Sequence, residues 1–341
     1  MSFTAIRPAR DADSPGLFAL IAACWAEFPG LLIADLDPDH PAQRCAASYC
    51  AGLCGAVFVA ERDGAPVGTI ATTPAGDGAW EIKRFYVVGA LRGAGLAQAL
   101  LATAERYAVN RGAARLVLWT DTRFDRAHAF YEKHGYVRLG PIRALDDLSR
   151  SLEFRYAKPL GPCAVERLDA AGAASAARRL SDVLIACVAA GASVNLLPPL
   201  APDAARAYWR EVSARVGTGK AVLLAAWFAG ELVGTAQLAL DTPADQPHRA
   251  GVKTLLVHPA ARRHGVGRAL MDRAETEAAQ AGRRLLTLDT QAGRSGEALY
   301  RALGWHEGGR IPGYSLDADG TAHDTVFFWK ALEARDGART G

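Results

Sequence analysis

The 341 residues carry a net charge of +3, are 50% hydrophobic and 22% charged. Two domains of ordinary size suit that length, each able to bury a core, and the composition is that of soluble globular proteins. So slight an excess of positive charge, without a polybasic run or an RNA-binding signature, argues against nucleic acid and leaves an anionic small molecule as the ligand of the basic residues.

Met1 to Arg7 lacks the basic head and long apolar core of a secretion signal, and no stretch of about 18 uncharged apolar residues follows. The expectation is a cytoplasmic protein with no membrane partner. Cys24, Cys45, Cys50, Cys54, Cys163 and Cys187 show no Cys-x-x-Cys or His-paired spacing, so they read as small buried apolar residues and no metal is expected.

Phe3 to Arg7 alternates as an opening strand, and Asp11 to Ser14 supplies caps for a helix whose face is Leu17, Leu20, Ile21 and Cys24. Trp25, Phe28, Leu31, Leu32 and Ile33 lead into an acidic loop around Asp35, Asp37 and Asp39. Ala56 to Glu61 and Pro66 to Thr72 read as a hairpin turning at Asp63-Gly64. Trp80 to Val88 is the next strand, carrying Glu81, Lys83 and Arg84 and ending in Phe85, Tyr86, Val87 and Val88. There follows Arg92-Gly93-Ala94-Gly95-Leu96-Ala97, then a helix marked by Leu100, Leu101, Ala104 and Ala108 and stopped by Gly112. Arg115 to Trp119 is a buried strand, Asp125 to His134 a helix, and Tyr136 to Leu139 and Phe154 to Tyr156 are strands. Lys158 to Pro162 reads as a linker.

The second half restarts with a strand at Ala164 to Leu168, an alanine-rich helix to about Ala190, a loop from Gly191 to Leu200, and a helix over Ala204 to Val216 with Tyr208 and Trp209. Leu255-Leu256-Val257 then leads to Arg262-Arg263-His264-Gly265-Val266-Gly267, with a helical pattern from Arg268. Arg92 to Arg262 is an offset of 170, Gly68 to Gly234 of 166, Asp121 to Asp289 of 168 and Tyr131 to Tyr300 of 169. Ordered matches at so constant an offset mark a duplication, with domains at 1–158 and 159–341.

A strand, a glycine-bearing turn and a helix start suit a diphosphate, because first-turn amides have no intrahelical acceptor and face outward beside the positive end of the dipole. The spacing Arg-x-x-Gly-x-Gly at Arg262, Gly265 and Gly267, with its second copy at Arg92, Gly95 and Ala97, where alanine replaces the final glycine, resembles the acyl-CoA loop of the GNAT superfamily of N-acetyltransferases. In the second half, Gly191-Ala192-Ser193-Val194, the Tyr208-Trp209 helix, Gly309 to Gly320 and Phe327 to Lys330 resemble the tabtoxin-resistance acetyltransferases of that superfamily. The first half resembles a general GNAT domain.

This resemblance implies an α/β (α+β) chain of two tandem domains, each a mixed, mostly antiparallel sheet flanked by helices. It implies acetyl-CoA as cofactor and the amine of a small molecule, amino-acid-like or an antimetabolite, as acceptor, with the second domain as the favoured catalyst. Cofactor contacts are implied at Phe85, Tyr86, Val87 and Arg92 to Ala97, and at Leu255, Leu256, Val257 and Arg262 to Arg268. Amides near Val87 and Val257 are implied to hold the thioester oxygen, and Tyr131 and Tyr300 to donate a proton to the departing sulfur. Asp121 and Asp289 are implied as base or amine anchor, with turn capping as the alternative. Glu81 is a further base, and Gly251 replaces it in the second copy. The asparagine usual in the family before the tyrosine helix is Phe124 or Gly293 here. Other readings are a non-catalytic acyl-CoA-binding or scaffold domain, the first above all, and a protein or peptide amine as acceptor. The chain would act as a pseudo-symmetric monomer or a homodimer.

Overall fold

A computed structural model describes residues 5–332 and divides the chain into two compact units that meet between Pro162 and Cys163. The first unit runs β1 (Arg7–Pro8), α1 (Ser14–Trp25), α2 (Pro41–Arg44), α3 (Ala46–Gly52), β2 (Ala56–Arg62), β3 (Ala65–Pro74), β4 (Ala79–Val87), α4 (Leu96–Val109), β5 (Arg115–Asp121), α5 (Asp125–Lys133), β6 (Val137–Arg138), β7 (Arg143–Ala144) and β8 (Leu152–Pro159). The strands form one sheet in the order β1-β2-β3-β4-β5-β8-β6, with β7 paired to β8. All pairs are antiparallel except β4 with β5, which are joined by α4 as a crossover.

Alternation in β2 explains the layering. Phe58 and Ala60 face α4, whose Leu96, Leu100, Leu101, Ala104 and Ala108 recur at helical spacing and are buried with Ile70, Trp80 and Leu116. Val57 and Val59 face the other way, where Leu17 of α1 and Ala46 and Cys50 of α3 cover them with Ala71. Leu100 is fully buried, so Leu100→Ala costs about 2–5 kcal/mol. Asp63 and Gly64 both have positive φ and close the β2–β3 hairpin, as their order in the sequence predicts.

The second unit runs β9 (Ala164–Leu168), α6 (Ala170–Ala189), α7 (Pro202–Gly217), β10 (Ala221–Phe228), β11 (Glu231–Ala239), β12 (Arg249–Val257), α8 (Val266–Gln280), β13 (Leu285–Gln291), α9 (Ser295–Ala302), β14 (His306–Leu316) and β15 (Ala322–Ala331). The sheet order is β14-β15-β13-β12-β11-β10-β9, and β12 with β13 is its one parallel pair among the described residues. Leu180, Val183, Leu184 and Cys187 of α6 and Trp209 of α7 pack on Leu223, Ala225 and Leu256. The two units are thus mixed sheets flanked by helices, built to one plan.

Some boundaries move. Lys158 and Pro159, read as linker, belong to β8, where they pair with Leu116 and Arg115. The opening strand covers Arg7–Pro8 only, while Phe3 and Thr4 lie outside the described residues. Asp13 does not cap α1 with its side chain; it receives the Arg7 guanidinium instead. Cys24, Cys50 and Cys187 are buried as expected of small apolar residues, whereas Cys45 and Cys163 are half-buried and Cys54 is exposed.

Both units share an irregularity that sequence patterns do not show. Thr69 pairs with Tyr86 and Ala71 with Lys83, so Arg84 and Phe85 together oppose Ile70 in a β-bulge. Thr235 pairs with Leu256 and Gln237 with Lys253, so Thr254 and Leu255 oppose Ala236 in the same way. Arg84 has φ 49° and Thr254 has φ 52°, left-handed values that side chains rarely adopt. Past the bulge each strand leaves its parallel neighbour. Pairing of β4 with β5 stops at Ile82 and Leu118, and that of β12 with β13 at Gly251 and Thr287.

Candidate active site

The turn after each bulged strand is held by its arginine. Arg92 Nε donates to the Val87 carbonyl at 2.9 Å and its guanidinium pairs with Glu27; Arg262 Nε donates to the Val257 carbonyl at 3.3 Å. These side chains brace the backbone of the turn. Gly93 and Gly95 have φ of 82° and 84°, and a Cβ at either would meet nothing within 4 Å. In the second copy Gly265 has φ 79°, and Arg263 takes the left-handed conformation that Gly93 has in the first.

These conformations aim a row of amides outward. Among the described residues, the amides of Gly93, Gly95, Leu96, Ala97 and Gln98 have no backbone acceptor, nor do those of Arg263, His264, Gly265, Val266, Gly267 and Arg268. The side chains of Leu96 and Val266 are buried in the core, so those positions offer only backbone. An open cradle of unpaired amides at a helix start fits a pyrophosphate.

The end of the strand before the turn is the second element. Val88 donates to the Val67 carbonyl at 3.0 Å, and His258 to the Val233 carbonyl at 2.7 Å. Antiparallel alternation therefore turns the amides of Val87 and Val257 to the opposite edge, where pairing with the parallel neighbour has already ended. Cys24 Sγ lies 3.7 Å from the Val87 carbonyl, and Cys187 Sγ lies 3.3 Å from that of Val257.

In the first unit the parting of β4 from β5 opens a cleft of about 340 Å³, floored by Ile82 to Val87 and Trp119 to Asp121. Arg92, Gly93 and Ala97 line one end. Trp25, Phe28, Leu145, Asp147, Ser151 and Glu153 complete the lining away from the turn glycines. Two loops close that part: Asp35 accepts from the amides of Leu148 and Ser149 at 2.8 and 2.9 Å, and Arg123 Nη1 donates to the Gly30 carbonyl at 2.8 Å. Trp25 Nε1 donates to the Tyr86 hydroxyl at 2.9 Å, so Tyr86 faces this part of the cleft.

The predicted catalytic residues fall into different situations. Tyr131 lines the cleft beside Phe85, Phe130 and Tyr156, and burial raises its hydroxyl above the ordinary tyrosine value. Tyr300 is likewise buried against Trp305 and Phe328, its hydroxyl raised first by burial and then by the charge of Asp289. Both phenols stay protonated at neutral pH. Asp289 is exposed within β13, opposite Phe327 of β15.

Asp121 is engaged. Its oxygens take Arg123 Nε at 2.8 Å and Nη2 at 2.7 Å, and Oδ1 also accepts from the Arg123 amide at 2.8 Å. Burial raises this carboxyl, but the Arg123 hydrogen bonds outweigh it and hold the group below the usual carboxylate range. It braces the loops rather than standing free as a base. Glu81 sits on the paired part of β4, opposite Thr73 and Val117, and forms an ion pair with Lys83 at 2.9 Å; it does not line the cleft.

Residues 19–136 and 195–305, about two thirds of the chain, match the family model described as acetyltransferase (GNAT) family. The chain belongs to the GNAT family of acetyltransferases. It is an acyltransferase of that type in tandem form, and the match does not single out the tabtoxin-resistance branch. Among solved structures it is similar to an N-acetyltransferase from Staphylococcus aureus Mu50, at 16% identity over 51% of this chain and 100% of that one, with TM-score 0.43. An acetyltransferase from Salmonella typhimurium, solved with its cofactor acetyl-CoA, is 19% identical over 53% of this chain and 100% of that one, with TM-score 0.42. A ribosomal-protein-alanine N-acetyltransferase from Brucella melitensis is 24% identical over 50% of this chain and 99% of that one, with TM-score 0.41. No helix among the described residues is long and apolar enough to cross a membrane.

Within this GNAT frame, sequence reasoning missed Glu153, Asp147 and Ser151, which reach the cleft from β8 and the segment before it. Glu153 faces Asp121 directly across the β5–β8 pair, a register that no local pattern announces.

Proposed function

We propose that this chain transfers an acetyl group from acetyl-CoA to the amine of a small molecule, and that the first domain carries a complete site for it. The observation that supports this reading is the cleft that brings the turn with its unpaired amides together with half-buried aromatic and acidic side chains, with Tyr131 on its wall. The resemblance alone favoured the second domain; the cleft shifts the reading to the first.

The amides of Gly93, Gly95, Leu96 and Ala97 would hold the pyrophosphate, and the free edge of β4 would pair with the pantetheine arm, whose amide groups need partners once out of water. Acetyl-CoA supplies an activated acetyl thioester, whose carbon–sulfur bond breaks as the new carbon–nitrogen bond forms. A free alkylamine has a pKa near about 10 and is mostly protonated at pH 7, so a base must take one proton. Asp147 and Glu153 attract the ammonium form, and Glu153, whose Oε2 is held by Arg143 while Oε1 is left for the amine, is the carboxylate we assign to that proton. The Val87 amide donates to the carbonyl oxygen as negative charge builds there, a fixed dipole that needs no reorganisation. Tyr131, kept protonated by burial, donates to the sulfur as it leaves. The ammonium gives up two protons in all: the first goes to Glu153 before attack, and the second, lost from nitrogen as the amide forms, restores the Tyr131 phenol after its own proton has gone to sulfur, so that ammonium and thioester become amide and thiol with one proton left on Glu153.

The second domain keeps the turn, the bulge and Tyr300, and we read it as a second acetyl-CoA site. Thiol release across a panel of small amines, run with binding stoichiometry, tests both statements. Two acetyl-CoA per chain and amine-dependent thiol release are expected. Absence of release with any small amine, alongside acetylation of a peptide amine, would overturn the small-molecule reading.

A further inference from the structure

The bulge that opens the cleft also places a side chain in its wall. Arg84 borders the main cleft and also a smaller cavity of about 220 Å³ beneath α2 and α3. Its guanidinium is partly buried, and its one hydrogen-bond partner among the described residues is Gln43 Oε1 at 2.9 Å. No carboxylate lies within ion-pairing distance of it there. Of the cations lining the cleft, Lys83 pairs with Glu81, Arg92 pairs with Glu27 and Arg126 is exposed, so among the described residues Arg84 is the partly buried one left without an anion. Desolvation by burial lowers its affinity for the proton. A desolvated charge of this kind is ordinarily paired.

The second copy shows the contrast. Thr254 stands at the same bulge position, with its hydroxyl 2.7 Å from that of Tyr208, which in turn accepts from Gln237 Nε2 at 2.9 Å. A closed neutral network occupies the place where the first copy has an unpaired guanidinium.

Resting on the transferase reading of the first domain, we propose that Arg84 binds a carboxylate of the acceptor, so that this domain acetylates amines that also carry a carboxylate, such as amino acids. The guanidinium fork suits a two-oxygen anion. Glu153 and Asp147, which line the same cleft, take the ammonium, giving the cleft one site for each end of a zwitterion. The second domain, with Thr254, lacks this preference.

The test uses the full chain carrying Tyr300→Phe, so that turnover reports the first domain. Each standard amino acid is assayed beside its carboxamide and its decarboxylated amine. We expect kcat/KM for the acid to exceed that for the carboxamide by about 10- to 100-fold, the range of a hydrogen bond to a charged group. Arg84→Gln should bring that ratio near one and Arg84→Lys should restore part of it. Equal use of acid and carboxamide by the unsubstituted Arg84 protein overturns the proposal whether or not the variants fold. A ratio unchanged in a folded Arg84→Gln protein overturns it too. If no amine is acetylated, calorimetric titration of the same acids into protein saturated with coenzyme A decides: acid binding that Arg84→Gln abolishes supports the carboxylate site while the transferase reading fails, and no acid binding overturns the site while acetyl-CoA binding stands.

Discussion

Asp121 and Arg123 are two residues apart and form a bidentate pair, from which Arg123 extends to the Gly30 carbonyl and the Ser151 hydroxyl. One ion pair thereby ties two cleft-closing loops to the end of β5. Asp121→Asn should destabilise the first domain by about 1–3 kcal/mol, the cost of weakening charged hydrogen bonds at a buried site. The sign of its pH dependence follows from the depressed carboxyl. Its contribution is full above the unfolded carboxylate value of about 3.9 and is lost as pH falls through the lower folded value. Melting temperatures of wild type and variant, measured from pH 7 downward, should converge below about pH 4.

In the chain carrying Tyr300→Phe, replacing Tyr131 by Phe should lower turnover by about 10²- to 10⁴-fold while leaving acetyl-CoA affinity unchanged, since a proton donor acts only as the sulfur departs. Equilibrium binding and thiol release separate the two quantities. Because burial raises this phenol above the free value of about 10, loss of the donor should not limit the rate on the alkaline side until beyond that pH. An alkaline limb near pH 8 that vanishes in Tyr131→Phe would contradict the assignment.

Two kinds of glycine should respond differently. Gly95 and Gly265 lie in open space at positive φ, so alanine there costs about 1–2 kcal/mol of backbone strain and tilts the amides of the cradle. Weaker acetyl-CoA binding is the expected result. A Cβ at Gly234 would meet the Leu256 carbonyl at 2.9 Å and side chains of Leu270 and Val266 at 3.1 Å. Gly234→Ala should therefore lower the melting temperature of the second domain, with about 1–3 kcal/mol of overpacking. Calorimetry and ligand titration on the three variants distinguish these effects.

Burial pushes the Cys187 thiol up to about 11, above the model-peptide value of about 8.5. At pH 8 in the folded protein it should resist alkylation while exposed Cys54 reacts. Mass spectrometry of peptides labelled before and after denaturation checks this. Rapid native labelling of Cys187 would mean that the contact with the Val257 carbonyl does not persist in solution.

The plan of the fold could be read from residues because it rests on local chemistry repeated twice. Asp63-Gly64 makes a hairpin, Gly95 and Gly265 start helices, and the spacing of Leu100, Leu101, Ala104 and Ala108 gives α4 its buried face. The cleft end of the site could not be read in this way. Glu153 meets Asp121 only through an antiparallel pairing across 32 positions of sequence, and Arg84 enters the wall only because a bulge re-aims it. Asp121 looks the same in sequence whether it is free or clasped by Arg123. The arginines of the two turns carry the family spacing, yet their partners are backbone carbonyls five residues upstream.

The bulge at Arg84 and Thr254 separates two jobs that a regular strand would couple. Its kink is fixed by dihedral angles and by the ladder on either side, so the side chain at that point can be exchanged without moving the neighbouring amides. A duplicated gene could diverge there by a single codon, from guanidinium to hydroxyl, and retune what each half accepts while both go on using the same acyl donor.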